Sequence, residues 1–122
     1  MALPVTLYGI SSCDTIRKAK AWLKNQQIEF EFHDYRKQGL EQKLLQSMIS
    51  ELGWEAMLNR RGTTWRALPD KLKQQIDEAS AIRVMLDNPA IIKRPVLAHK
   101  NKLYLGFSVD SYQSIFGVQV SA

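Results

Sequence analysis

The first third of the chain commits it to one kind of architecture. Val5 to Tyr8 is a short, apolar, β-rich run that ends at Gly9, and a helix-like run opens at Asp14. Ile16, Ala19, Trp22 and Leu23 recur there at helical spacing, while Arg17, Lys18, Lys20 and Lys24 cover the remaining surface. Asn25-Gln26-Gln27 ends the helix, after which Ile28, Phe30 and Phe32 alternate with Glu29, Glu31 and His33 at a strand's period of two. Parallel strands need a crossover of a dozen or more residues, usually a helix, and the connection is right-handed. A strand, a helix of that length and a second strand therefore predict a layered α/β domain.

The middle of the chain reads as helical between loops. Gly39 marks a break, and Leu40–Leu52 carries Leu44, Leu45, Met48, Ile49 and Leu52 at helical spacing before Gly53 stops it. After the loop Asn59-Arg60-Arg61-Gly62-Thr63-Thr64, Thr64 is expected to cap a short helix through Trp65 and Leu68. Pro69-Asp70 opens another helical stretch to about Ala79, and Ser80 is expected to cap a last one through Met85 and Leu86, closed by Asn88-Pro89. The end returns to β. Pro95–Ala98 and Lys102–Leu105 read as strands around a His99-Lys100-Asn101 turn, Gly106 breaks the second, and Asp110–Phe116 reads as a terminal helix. The sum is β-α-β, a helical insertion over about residues 40–88, then β-β-α. That is a thioredoxin-like order in one α/β domain spanning residues 1–122, long enough to bury a core without disulfides.

Chemistry enters with Cys13, the sole cysteine. A thiol at the first turn of a helix faces unpaired backbone N–H groups and the positive end of the helix dipole, both of which favour thiolate. Thiolate is the nucleophile, so redox or covalent sulfur chemistry fits this position. An inert buried thiol fits it too. With one cysteine no intrachain disulfide forms, which suits a reducing compartment. The start lacks the basic segment and apolar stretch of a secretory signal, and no run reaches membrane-spanning length, so a cytoplasmic protein with no membrane contact is expected.

Seventeen Lys and Arg against twelve Asp and Glu give a net charge of +5. That surplus suits nucleic acid, an acidic protein or an anionic small substrate. Much of it lies in Arg17-Lys18, Arg36-Lys37, Arg60-Arg61 and Lys93-Arg94, pairs that solvated faces and loops also produce. No nucleic-acid signature accompanies them, so no nucleic-acid partner is expected. His33 and His99 stand far apart without ligand-spaced neighbours, and no metal site is expected. Trp22 and Trp65 are read as core residues rather than binding platforms.

Four stretches carry a family resemblance: Tyr8–Thr15 with Lys18-Ala19 and Trp22-Leu23; Asp34-Tyr35-Arg36-Lys37; Leu58–Arg66; and Pro89 with Ile92–Leu97. In this order and spacing the chain resembles the arsenate-reductase-related family of ArsC, Spx and YffB-like proteins, over nearly its whole length and most closely in the YffB-like branch. The resemblance implies a thioredoxin-type fold with Cys13 as nucleophile. It also implies that Arg94 points at the sulfur and that Pro95 beside it is cis. The bare sequence would make Arg94 a surface cation and Pro95 an ordinary strand-start proline.

Glutaredoxin-coupled arsenate reductases use three arginines around the oxyanion. Arg94 matches one position, and Arg60 or its neighbour Arg61 a second. The third falls in or near Leu103–Phe107, which holds no arginine. One missing cationic donor removes about 1.5–3 kcal/mol from arsenate binding. Spx-like regulators often carry Cys-x-x-Cys, but positions 10 and 16 are both Ile here. A resolving thiol must then come from outside, which points to glutathione as co-substrate, with glutaredoxin a further partner and no tightly bound cofactor.

The expected chemistry is a glutathione-dependent reduction of a thiol-derived or oxyanion substrate. Cys13, Arg94 and Arg60 are its catalytic candidates. Ser11, Ser12, Asp14, Arg61, Lys18 and Pro95 are the substrate- or glutathione-binding candidates, with Asp14 expected to oppose thiolate formation. An arsenate reductase proper and a non-enzymatic, RNA-polymerase-binding regulator are the alternatives that the same family offers. A monomer is the default.

Overall fold

The computed structural model describes residues 5–117. Strand β1 (Val5–Gly9), helix α1 (Asp14–Asn25) and strand β2 (Glu31–Asp34) form the opening unit, and β1 and β2 pair in parallel with Gly9 opposite Asp34. Strand β2 begins three residues later than the alternation from Ile28 predicts. The end of α1 takes those residues. Gln27 adopts a left-handed φ of 59°, its N–H donates to Lys24 O at 3.0 Å, and the Ile28 N–H reaches back to Leu23 O at 3.0 Å. This paired closure satisfies the last carbonyls of the helix, and it spends Ile28 on the helix end before a strand can start.

Short helices follow: α2 (Tyr35–Gln38), α3 (Gln42–Leu52), α4 (Trp54–Met57), α5 (Thr63–Arg66), α6 (Asp70–Gln74) and α7 (Glu78–Asp87). A 3₁₀ turn (Pro89–Ile91) leads into the hairpin of β3 (Val96–His99) and β4 (Lys102–Leu105), and α8 (Val109–Phe116) closes the described chain. Two expected caps are corrected. Gly62, not Thr64, is the N-cap of α5, which starts at Thr63. Ser80 lies inside α7, whose cap is Asp77, and the expected single stretch over residues 69–79 is split before that cap. The Ser80 N–H donates to Asp77 Oδ1 and the Asp77 N–H to Ser80 Oγ, both at 2.9 Å, so the pair satisfies two helix-start amides that Ser80 as cap could not. His99, expected in the turn, belongs to β3 and pairs with Val5 and Lys102. The turn is only Lys100 and Asn101, both left-handed, as a two-residue hairpin requires.

The sheet order is β2-β1-β3-β4, with β3 antiparallel to both neighbours. This is the thioredoxin-like α/β fold expected from the sequence, with helices α3–α7 inserted between its two halves. Side chains alternate across the sheet and build a core on each face. One face packs Val5, Leu7 and Leu97 against Ala19, Trp22 and Leu23 of α1 and Tyr112 of α8. The other packs Ile10 and Val96 against Leu45, Met48, Met57, Leu58, Met85 and Ile92 of the helical block. Among the described residues, no helix is long and apolar enough to cross a membrane.

Candidate active site

The thiol half of the site begins at the C-terminal end of β1. An added Cβ on Gly9 would lie 2.2 Å from Ile16 Cδ1, so glycine is what lets α1 start directly against the strand. The chain then turns tightly, with the Cys13 N–H donating to Ile10 O at 3.1 Å. Cys13 is the N-cap of α1, with extended φ and ψ, and its carbonyl accepts the first helical bond from the Arg17 N–H. The loop is anchored from β2. The Ser11 N–H donates to Asp34 Oδ2 at 3.2 Å, while Asp34 Oδ1 accepts from the Arg36 N–H at 2.8 Å and caps α2. Asp34 is only 3% exposed. Burial pushes its carboxyl up, but the amide of Arg36, the hydroxyl and amide of Ser11 and the amide of Lys37 hold it below the ordinary carboxylate range.

The facing wall comes from distant chain. Leu58 and Ile92 form an isolated antiparallel bridge. The Asn59 N–H donates to Ile91 O at 2.8 Å and the Lys93 N–H to Met57 O at 2.7 Å. These three links set Asn59, Lys93 and Arg94 beside the thiol. The Arg94 side chain is tethered by Nη1, which donates to Ala90 O at 2.6 Å, and its buried Nε has no hydrogen-bond partner among the described residues. The Arg94–Pro95 peptide is cis, and Pro95 O accepts from the Gly106 N–H at 2.8 Å, which brings Gly106 to the rim.

Together these elements enclose a hollow of about 410 Å³ lined by Cys13, Thr15, Asn59, Lys93, Arg94, Leu105 and Gly106. That volume lies in the range of small-ligand sites. Partial burial pushes the Cys13 thiol up. The Ile16 amide, the Arg94 side chain, the Thr15 amide and the charge of Arg94 push it down further, and the net effect is a thiol more acidic than an ordinary one. The arrangement favours the sulfur anion and sets a cationic side chain beside it.

The expected site residues distribute unevenly. Cys13 and Arg94 meet in the hollow. Pro95 is buried immediately behind Arg94. Ser11 is turned to Asp34, Ser12 is exposed on the loop, and Lys18 is exposed on α1. Asp14 is exposed and pairs with Arg17, so a cation balances the charge expected to oppose the thiolate. Arg60 and Arg61 do not join Cys13 in this hollow. The Arg60 guanidinium lies over the Trp65 ring at 5.3 Å, and both arginines line a neighbouring recess. Asn59 and Lys93, which flank the Leu58–Ile92 bridge, line the Cys13 wall where Arg60 and Arg61 were expected. Thr15, Asn59, Lys93 and the anchoring Asp34 were within the stretches that carry the family resemblance, but nothing in their spacing marked them as lining the site.

The model of the ArsC family matches residues 8–115. The chain belongs to the ArsC family. An uncharacterized protein of Haemophilus influenzae is 40% identical over 112 residues, which cover 92% of this chain and 98% of that one. The global transcriptional regulator Spx of Streptococcus agalactiae is 29% identical over 115 residues, covering 90% of this chain and 81% of its own. Among solved structures, a protein named YffB is 43% identical and superposes with a TM-score of 0.85, covering 90% of this chain and 96% of that one.

Proposed function

We propose that this protein is a single-cysteine thiol reductase of the ArsC family that uses glutathione as its resolving thiol. The observation that carries this reading is the convergence of the Ile16 and Thr15 amides and Arg94 on the Cys13 sulfur, at the mouth of a hollow of ligand size. The Cys13 thiolate attacks one sulfur of a disulfide, forming a mixed disulfide with Cys13 and expelling the other half as a thiolate. Glutathione thiolate attacks the Cys13 sulfur, releases the remaining half and leaves Cys13 joined to glutathione. A second glutathione regenerates Cys13 and departs as oxidised glutathione. The net change is one disulfide reduced to two thiols and two glutathiones oxidised to their disulfide. Arg94 stabilises the anionic sulfur at each exchange, and its planar guanidinium suits a carboxylate beside it. A reducing compartment such as the cytoplasm supplies the donor.

Arsenate suits the site less well. The wall where the arsenate reductases carry a third arginine is built here by Leu105 and Gly106, which bring no side-chain cation. The expected weakening is about 1.5–3 kcal/mol.

The test is alkylation of Cys13 against pH, with and without glutathione, read by mass spectrometry. An acidic thiol that acquires a glutathione adduct, and disulfide reduction that falls to background in Cys13→Ser, is the expected result. An ordinary thiol with no adduct would overturn it. The likeness to Spx would then direct the search to stable binding of RNA polymerase by Cys13→Ala.

A further inference from the structure

The recess beside the active site has a charge pattern of its own. It measures about 350 Å³ and is lined by Glu55, Leu58, Asn59, Arg60, Arg61 and Lys93. It shares Asn59 and Lys93 with the Cys13 hollow, so a ligand seated on the sulfur can extend past these two side chains into it. Among the described residues, the ion pairs within 4.0 Å are Arg17–Asp14 and Lys73–Asp70. Glu55, Arg60, Arg61 and Lys93 therefore line one space with no ion pair within 4.0 Å among them. Two local contacts hold the cationic side in shape. Arg60 rests on Trp65, and the Arg61 N–H donates to Asn59 Oδ1 at 3.1 Å.

Three cations and one carboxylate around an open space fit a ligand that carries both signs close together. A simple anion would satisfy the cations but meet repulsion from Glu55. We infer that this recess receives the zwitterionic α-amino-acid end of a thiol or disulfide whose sulfur lies on Cys13. Arg60, Arg61 and Lys93 take its carboxylate, and Glu55 accepts from its ammonium group. Glutathione presents such an end on its γ-glutamyl residue. The inference rests on the thiol-reductase reading and deepens it, because it names the part of the co-substrate that is recognised and the residues that recognise it.

The experiment compares three disulfides on the full chain, reading the rate at which each modifies Cys13 by mass spectrometry. They are oxidised glutathione, its N-acetylated form without the ammonium groups, and hydroxyethyl disulfide without any charge. In each case the Cys13 thiolate displaces one thiolate and keeps the other half as a mixed disulfide. The wild-type protein is expected to prefer oxidised glutathione over the acetylated form by about tenfold, the scale of one charge-assisted hydrogen bond. Glu55→Gln is expected to reduce that preference to below about twofold. Arg61→Ala is expected to slow both glutathione forms relative to hydroxyethyl disulfide by about tenfold. Equal wild-type rates for the two glutathione forms would overturn the inference, as would a preference that Glu55→Gln leaves intact. If hydroxyethyl disulfide reacts faster than with an ordinary thiol while acetylation makes no difference, only the zwitterion site fails. If no disulfide reacts faster than with an ordinary thiol, the reductase reading fails with it.

Discussion

The two walls of the active site are built on different principles. The thiol wall is local. Gly9, the tight turn to Cys13 and the first turn of α1 lie within a dozen residues, and the amides that favour the thiolate belong to Thr15 and Ile16. The cationic wall is assembled from chain segments more than thirty residues apart, joined by the Leu58–Ile92 bridge and two backbone hydrogen bonds. The difference teaches that acidity and recognition can be lost separately. A fault in the helical block removes the cations from the hollow but leaves the helix start, and its share of the thiol's acidity, in place.

The largest expected effect comes from attacking the distant wall at its hinge. Leu58 is fully buried against Ile92 and Met57, so Leu58→Ala should destabilise the fold by about 2–5 kcal/mol in a denaturant titration. Under folding conditions the glutathione reaction should weaken while the thiol stays more acidic than an ordinary cysteine. If the acidity vanished as well, the two walls would not be separable. Next comes Arg94→Ala, which deletes the one side chain that belongs to both functions. The Cys13 pKa should rise, and the rate of glutathione adduct formation at neutral pH should fall roughly 10- to 100-fold. An unchanged alkylation profile would show that the helix start sets the acidity alone.

Asp34→Ala tests the anchor of the local wall. It leaves the Ser11 and Arg36 amides without their acceptor and should cost about 1–3 kcal/mol of stability. The sign of its pH dependence follows from a carboxyl held below its ordinary range. The contribution is complete above the unfolded value of about 3.9 and is lost as pH falls through the lower folded value. Wild type and Asp34→Ala should therefore converge in stability in acid, and parallel curves down to pH 2 would count against the anchor. The smallest effect belongs to Lys18→Ala. An exposed lysine away from the hollow should change stability by no more than about 0.5 kcal/mol and adduct formation by less than about twofold. A larger loss would bring α1's outer face into the site.

Legibility in the sequence followed the range of the interactions. The βαβ unit and the hairpin are visible because periodicity, Gly9 and the turn read at His99-Lys100-Asn101 act on neighbours in the chain, although His99 itself belongs to β3. The boundaries that moved did so where two local solutions competed. Ile28 could extend β2 or close α1, and the helix end took it; Asp77 and Ser80 could each cap α7, and the reciprocal pair put the start at Asp77. The site divides in the same way. Cys13 was legible from its place at a helix start, whereas Arg94 and the cis Pro95 were reached through family resemblance alone. Asn59 and Lys93 carry no local mark of their role, and the position of Arg60 over Trp65 depends on how α5 packs.

The α/β order, the helical block between its halves and a lone cysteine at the start of a helix are all written in periodicities and caps that span a few residues. Tertiary structure decided what faces that cysteine. The bridge between Leu58 and Ile92 brings Asn59 and Lys93 to the border of the Cys13 hollow and the recess beyond, while Arg60 and Arg61 line only the recess. A single pairing between distant backbones selects which side chains share a cavity, and no local pattern in either segment encodes that choice.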